Sequence, residues 1–148
     1  MQAKRGFTLV EILIVVVILG ILAAIVIPQF TQASTEAKTN SLCSNLQTLR
    51  SQIELYKVQH NDQVPTSAAD FITRMTQTTK IDGTPSGSKQ RNKGAGYIYG
   101  PYLERIPENP FNGESSIVEW GTGTDAKGWE YNAATGEIRA ATADHKTY

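Results

Sequence analysis

The sequence predicts an α+β protein: a long N-terminal helix, membrane-spanning in its first half, packed against a small antiparallel β-sheet. Three observations carry this expectation. An apolar run fills residues 7–27, broken only by Thr8 and Glu11. Leu42, Leu46, Leu49, Ile53 and Tyr56 then recur at helical spacing as one apolar stripe. The final third changes to short segments rich in aromatic and branched residues, which is strand composition.

The apolar run comes first. Its 21 residues reach about 31 Å as a helix, close to the roughly 30 Å of a bilayer's hydrocarbon core. Lys4 and Arg5 precede it with no acidic residue beside them, which predicts a cytoplasmic N-terminal end and an outward-facing remainder. A secretory signal peptide is the ordinary alternative. Against it, Leu22-Ala23-Ala24 puts a large residue at the outer cleavage position and apolar Ile25-Val26-Ile27 follows. Glu11 is the unusual residue, because a carboxylate in a spanning helix needs a partner. The competing reading has it reach the cytoplasmic headgroups, favoured by the helix N-terminal dipole. Gly6 lets an extended backbone lie close to another molecule, or serves only as a flexible joint.

The stretch Lys4-Arg5-Gly6-Phe7-Thr8-Leu9-Val10-Glu11 resembles the class III signal of type IV pilins and type II secretion pseudopilins. That resemblance implies a pilin-like fold. It implies cleavage between Gly6 and Phe7 by a prepilin peptidase, methylation of the new Phe7 amine, and retention of the helix. For Glu11 it implies a partner, the Phe7 amine of a neighbouring subunit. The other implied partners are further copies of the chain, minor pseudopilins or pilins, and an inner-membrane assembly platform. The implied location is the bacterial inner membrane, single-pass, with the C-terminal domain in the periplasm and the product a periplasmic pseudopilus or a surface filament. On this reading residues 1–6 are a leader, 7–27 the transmembrane and polymerisation helix, 28–60 its amphipathic continuation, and 61–148 a soluble head.

Pro28 ends the apolar run and predicts a kink or local interruption, after which the helix resumes. Gly20 and Ala24 make a small-x-x-x-small pair of the kind that lets helices approach in lipid. In the family resembled, the stretch matching Gly20 to Pro28 can lose helical form in the filament, and a glycine and a proline there are compatible with such loosening. Residues 31–41 are rich in Ala, Ser and Thr and suit an exposed neck. The stripe from Leu42 to Tyr56 is expected to cover the head's sheet.

The helix pattern ends after His60-Asn61-Asp62. Thr66 or Ser67 is expected to cap a short second helix with Phe71, Ile72 and Met75 on its core side. Residues 82–96 read as a loop whose Lys89, Arg91 and Lys93 are solvated. Tyr97-Ile98-Tyr99, Ile117-Val118-Glu119-Trp120 and Trp129-Glu130-Tyr131 read as strands. Residues 132–136 turn into Glu137-Ile138-Arg139 to close a terminal hairpin. Pro101, Pro107 and Pro110 predict extended or turn structure between them. Ile106-Pro107-Glu108-Asn109-Pro110-Phe111 is similar to the proline-bearing loop of pseudopilins and related pilins.

The chain has 14 basic and 14 acidic residues and no basic concentration of nucleic-acid type. Cys43 is the single cysteine, expected to be buried and inert; His60 and His145 have no metal-ligand spacing. No catalytic pattern or phosphate loop is present in the sequence, so neither an enzyme nor a cofactor is expected. Many major pseudopilins hold calcium in a C-terminal loop, but here Asp125 and Asp144 stand apart, without a compact series of oxygen ligands, and no metal site is assigned. Within the families resembled, type IV pilins of the animal-pathogen sort carry two cysteines that staple a C-terminal loop; this sequence has none after Cys43, a departure that favours the major pseudopilin of a type II secretion system or another pilin-like relative. The alternative is a type IV pilus major pilin serving adhesion, motility or DNA uptake; an enzyme and a monomeric membrane-tethered binding domain are more distant readings.

Overall fold

A computed structural model describes residues 6–148, so Lys4, Arg5 and the leader ahead of Gly6 lie outside the described residues. The described residues form two compact units divided between Ala37 and Lys38. Helix α1, Leu9–Gln59, contributes to both.

In the first unit every residue from 6 to 37 is exposed. The large apolar side chains of residues 7–27 range from 49% exposed at Val15 to 82% at Leu9. A helix this apolar and this uncovered is long enough to cross a membrane. The interruption expected at Pro28 does not occur, since α1 is helical on both sides of it. Proline withdraws one donor, the one that would serve the Ala24 carbonyl, and the flanking turns keep their own bonds. Just beyond, the Thr31 hydroxyl donates to the Ile27 carbonyl at 3.1 Å.

In the second unit the expected stripe is the heart of the core. Leu42, Leu46, Leu49, Ile53 and Tyr56 are each at most 1% exposed. Cys43 does not follow the sequence expectation: it is exposed, because one step of about 100° from Leu42 turns it off the buried face. Helix α1 ends at Gln59, and the chain turns through left-handed backbone at Asn61 and Asp62, with φ of 52° and 62°. Helix α2, Ala68–Thr76, starts at Ser67, whose hydroxyl accepts the Asp70 N–H at 3.1 Å. Phe71 and Met75, one turn apart, are fully buried, whereas Ile72 is 37% exposed. The expectation that Ile72 joins the core therefore fails, for the same angular reason as Cys43.

The sheet has three short strands, β1 (Ile117–Glu119), β2 (Trp129–Tyr131) and β3 (Ile138–Ala140), in the order β1-β2-β3. The expected hairpin is present: β2 and β3 are antiparallel, with Trp129 opposite Ala140 and Tyr131 opposite Ile138. The sheet is mixed, however, because β1 runs parallel to β2 with Ile117 beside Trp129. Residues 120–128 carry the chain back to start β2 beside the start of β1. Gly128 permits that return, since a Cβ there would meet the backbone oxygens of Glu114 and Ser116. Tyr97-Ile98-Tyr99 is not a strand. It makes only isolated bridges to Asn92 and Thr79, pinched between left-handed Gly96 and Gly100 at φ of 83° and 66°.

Strand β2 is buried throughout. Trp129 Nε1 donates to the Pro107 carbonyl at 2.8 Å and the Tyr131 hydroxyl to the Pro65 carbonyl at 2.9 Å. Buried Asn109 of the proline-bearing loop donates from Nδ2 to the Gly128 carbonyl at 3.1 Å. The prolines thus supply acceptors, fixing irregular chain over the central strand without leaving indole or phenol unpaired. In the loop after α2, Lys89 pairs with exposed Glu104, and Arg91 Nε donates to the Gly100 carbonyl at 3.0 Å.

Candidate processing and assembly site

Gly6 and Phe7 lie ahead of the first helical residue and both are exposed, Phe7 to 78%. A peptidase needs an extended, reachable peptide bond, and this one lies outside the hydrogen-bonded helix. A Cβ on Gly6 would meet nothing within 4 Å, and the same holds at Gly20. Neither glycine is required sterically by the described part of the subunit itself.

Helix α1 opens with a reciprocal cap. Thr8 occupies the cap position, and its Oγ1 accepts the Glu11 N–H at 3.3 Å. The Glu11 carboxylate reaches back, with Oε2 accepting the Thr8 N–H at 2.8 Å and the Thr8 hydroxyl at 2.7 Å. Two orphan N–H groups of the first turn are thereby satisfied, and the carboxylate lies where the helix dipole favours negative charge. The sequence reading singled out Glu11 but treated Thr8 only as a break in the apolar run. The T-x-x-E spacing before an apolar helix was the signal that would have found it. Both bonds that the carboxylate accepts fall on Oε2; among the described residues none donates to Oε1.

The head has two partly buried polar clusters. In one, Asp70 Oδ2 accepts the Thr66 N–H and hydroxyl at 3.0 and 2.9 Å and pairs with Arg74 Nε at 2.7 Å, while Arg74 Nη1 donates to the Tyr56 hydroxyl at 3.0 Å. Burial alone would raise Asp70, but the Thr66 donors and Arg74 outweigh it and hold the carboxyl below its ordinary value. His60 stacks on Tyr56 with ring centroids 3.8 Å apart. Its Nδ1 lies 2.8 Å from the Tyr56 carbonyl, which can only accept, so Nδ1 carries the proton and Nε2 accepts from the Thr79 hydroxyl at 3.0 Å. Burial pushes this imidazole below its ordinary value.

The second cluster centres on Glu130, whose side chain is fully buried between Arg139 and Lys146. Burial again opposes ionisation, but Lys146, Arg139 and the Gly121 N–H together pull the carboxyl down to about 2. The sequence reading placed Glu130 in a strand without a role and did not single out Lys146; no periodicity links a mid-strand acid to a base 16 positions later.

The family model for the prokaryotic N-terminal methylation motif matches residues 1–27. The chain is similar to the type II secretion system core protein G of Dickeya chrysanthemi, 33% identical over 120 residues that cover 81% of this chain and 71% of that protein. It is likewise similar to the protein of that name from Klebsiella pneumoniae, 31% identical over 121 residues covering 82% and 79%. For the Vibrio cholerae protein the identity is 30% over 121 residues, covering 82% and 75%. No solved structure gives a significant match.

Proposed function

The chain belongs to the type II secretion system core protein G family, the major pseudopilins, and on that premise we propose how its N-terminus makes it a filament subunit. It is a structural protein and not a catalyst. Prepilin peptidase cuts between Gly6 and Phe7 and the new Phe7 amine is methylated. The apolar half of α1 first holds the subunit in the inner membrane with its head in the periplasm. It then becomes the packing stem of a homopolymer built on an inner-membrane platform and completed by minor pseudopilins.

The observation that carries this reading is the Thr8–Glu11 cap at the head of an uncovered apolar helix. Apolar surface of that extent requires lipid or other copies of itself. The carboxylate, engaged through one oxygen, retains acceptor capacity on the other for the charged amine of an incoming Phe7. Within a packed stem that pairing is stronger than in water, though desolvation offsets much of the gain. Gly20, with open space around it, suits close approach of a second stem, and loosening between Gly20 and Pro28 would let stems adjust as they pack.

The test combines chemistry with export. Mass spectrometry of sheared filaments should find the chain starting at Phe7 with one methyl group on its amine. Cells lacking the chain should retain type II substrates in the periplasm, and the wild-type chain should restore their export. A mature start at Ile25, an intact Met1, or undiminished export without the chain would falsify the reading.

A further inference from the structure

Successive strand residues face opposite ways, so Trp129 and Tyr131 turn into the core while Glu130 between them points to the other face of β2. There it meets the β1–β2 connection and the chain beyond β3. Oε1 accepts the Gly123 N–H at 2.9 Å and lies 2.9 Å from Lys146 Nζ; Oε2 accepts the Gly121 N–H at 3.2 Å and Arg139 Nε at 2.8 Å, with Nη2 also in contact. The Lys146 ammonium is also 3.4 Å from the Gly123 carbonyl. Arg139 is held in turn by the Trp120 face, 3.8 Å from its guanidinium carbon. A second tie joins the same segments, as Asp125 Oδ1 accepts the Ala143 N–H at 2.8 Å.

These residues do not fit a divalent cation. Calcium takes six to eight oxygen ligands at about 2.3–2.6 Å. Here both oxygens of the buried carboxylate are already engaged, an ammonium lies beside the neighbouring Gly123 carbonyl, and Asp125 commits an oxygen to the backbone. Among the described residues no group of three acidic, histidine or cysteine side chains could hold a metal ion. Two fixed positive charges beside Glu130 would also repel a third.

We infer that Lys146 is the resident cation of this loop: its ammonium, with Arg139, neutralises Glu130 and draws the Gly121–Gly123 backbone onto the sheet, so that the head closes without calcium. The ammonium differs from a metal ion in being covalently part of the segment it anchors. It cannot be chelated or diluted away, and it binds residue 146 to the β1–β2 connection in the same act. This conclusion concerns closure of the head and does not depend on whether the chain polymerises.

The test uses the full chain in detergent, with unfolding followed by tryptophan fluorescence. The wild-type Tm and trypsin cleavage pattern should be the same in excess EGTA as in millimolar calcium. Lys146→Met, which leaves the buried carboxylate one cation short, should lower the Tm by roughly 5–10 °C. Lys146→Arg should restore most of the loss. In Glu130→Gln/Lys146→Met, where a neutral amide replaces the carboxylate, part of the loss should return. A wild-type Tm that climbs by several degrees with calcium overturns the inference, as does a Lys146→Met chain that melts like the wild type. If Lys146→Met does not fold, the EGTA and calcium comparison on the wild-type chain decides alone.

Discussion

Thr8 gives both its backbone N–H and its hydroxyl proton to a single carboxylate oxygen of Glu11, at 2.8 and 2.7 Å. The pair therefore stabilises the start of α1 before any neighbour is present. Glu11→Leu removes the carboxylate half of this cap together with the proposed acceptor for an incoming amine, yet makes the stem more apolar. The expected outcome is a processed subunit that accumulates in the membrane while sheared filament falls by about tenfold or more, since a loss of only about 1.4 kcal/mol per subunit contact has that effect. The ratio of sheared to membrane-held chain, after confirming a Phe7 start, measures it. Normal filament yield would show that the carboxylate acts only as a local cap.

Removing the stem should leave the head intact. A fragment starting at Thr31 keeps the buried stripe from Leu42 to Tyr56 and all three strands, while the uncovered apolar run is gone. It should be a soluble monomer by sedimentation and unfold in one cooperative transition. Aggregation or a non-cooperative melt would mean that the head depends on the apolar stem.

Two positions three residues apart on α1 should behave in opposite ways. Leu46 is 1% exposed in the core, so Leu46→Ala should cost about 2–5 kcal/mol in denaturant unfolding. Cys43 is exposed, so Cys43→Ser should change stability by no more than about 0.5 kcal/mol. Rapid labelling of the native chain by a thiol reagent would confirm the position of Cys43 independently.

Acid should destabilise the head in two stages. His60, Asp70 and Glu130 all titrate lower in the folded chain than unfolded, so the unfolded state binds more protons and stability drops as pH is lowered. The His60 contribution is present above its unfolded value and is lost as pH falls below about 6.5. The carboxylate contributions are lost as pH falls from about 4 towards 2, that of Glu130 being on the order of 2–3 kcal/mol. Tm measured from pH 7 to pH 3 should show both declines. Glu130→Gln should flatten the lower one and leave the upper one in place.

Helical features were the most legible in the sequence because their signals are local. The apolar run, the Leu42 to Tyr56 stripe and the Ser67 cap each follow from spacing within a few turns, and the Gly6-Phe7 motif is contiguous. Ile72 and Cys43 were misplaced because hydrophobicity alone does not set angular phase, and each is one residue off a buried face. The direction of β1 depends on where residues 120–128 return, which no strand composition encodes. Lys146 was hidden for a related reason. A lysine near Asp144 and His145 reads as solvated surface until folding brings Glu130 beneath it.

Arg50 on α1 donates to the carbonyls of Ile138 and Tyr148 at 3.2 and 2.7 Å, contacts spanning 88 and 98 positions of sequence. With Lys146, these place the closing ties of the head in chain that is made long after the Leu42 to Tyr56 stripe. The Leu42 to Tyr56 stripe emerges early and must wait, uncovered, for β2, β3 and the segment beyond them. Such distant pairings close slowly because loop entropy is lost before the contacts form. The head of a growing chain thus stays unlocked, an extended thread in place of a closed domain, until Arg139 and Lys146 have been made. Ribosomes stalled before Lys146 would release heads that proteases can still open.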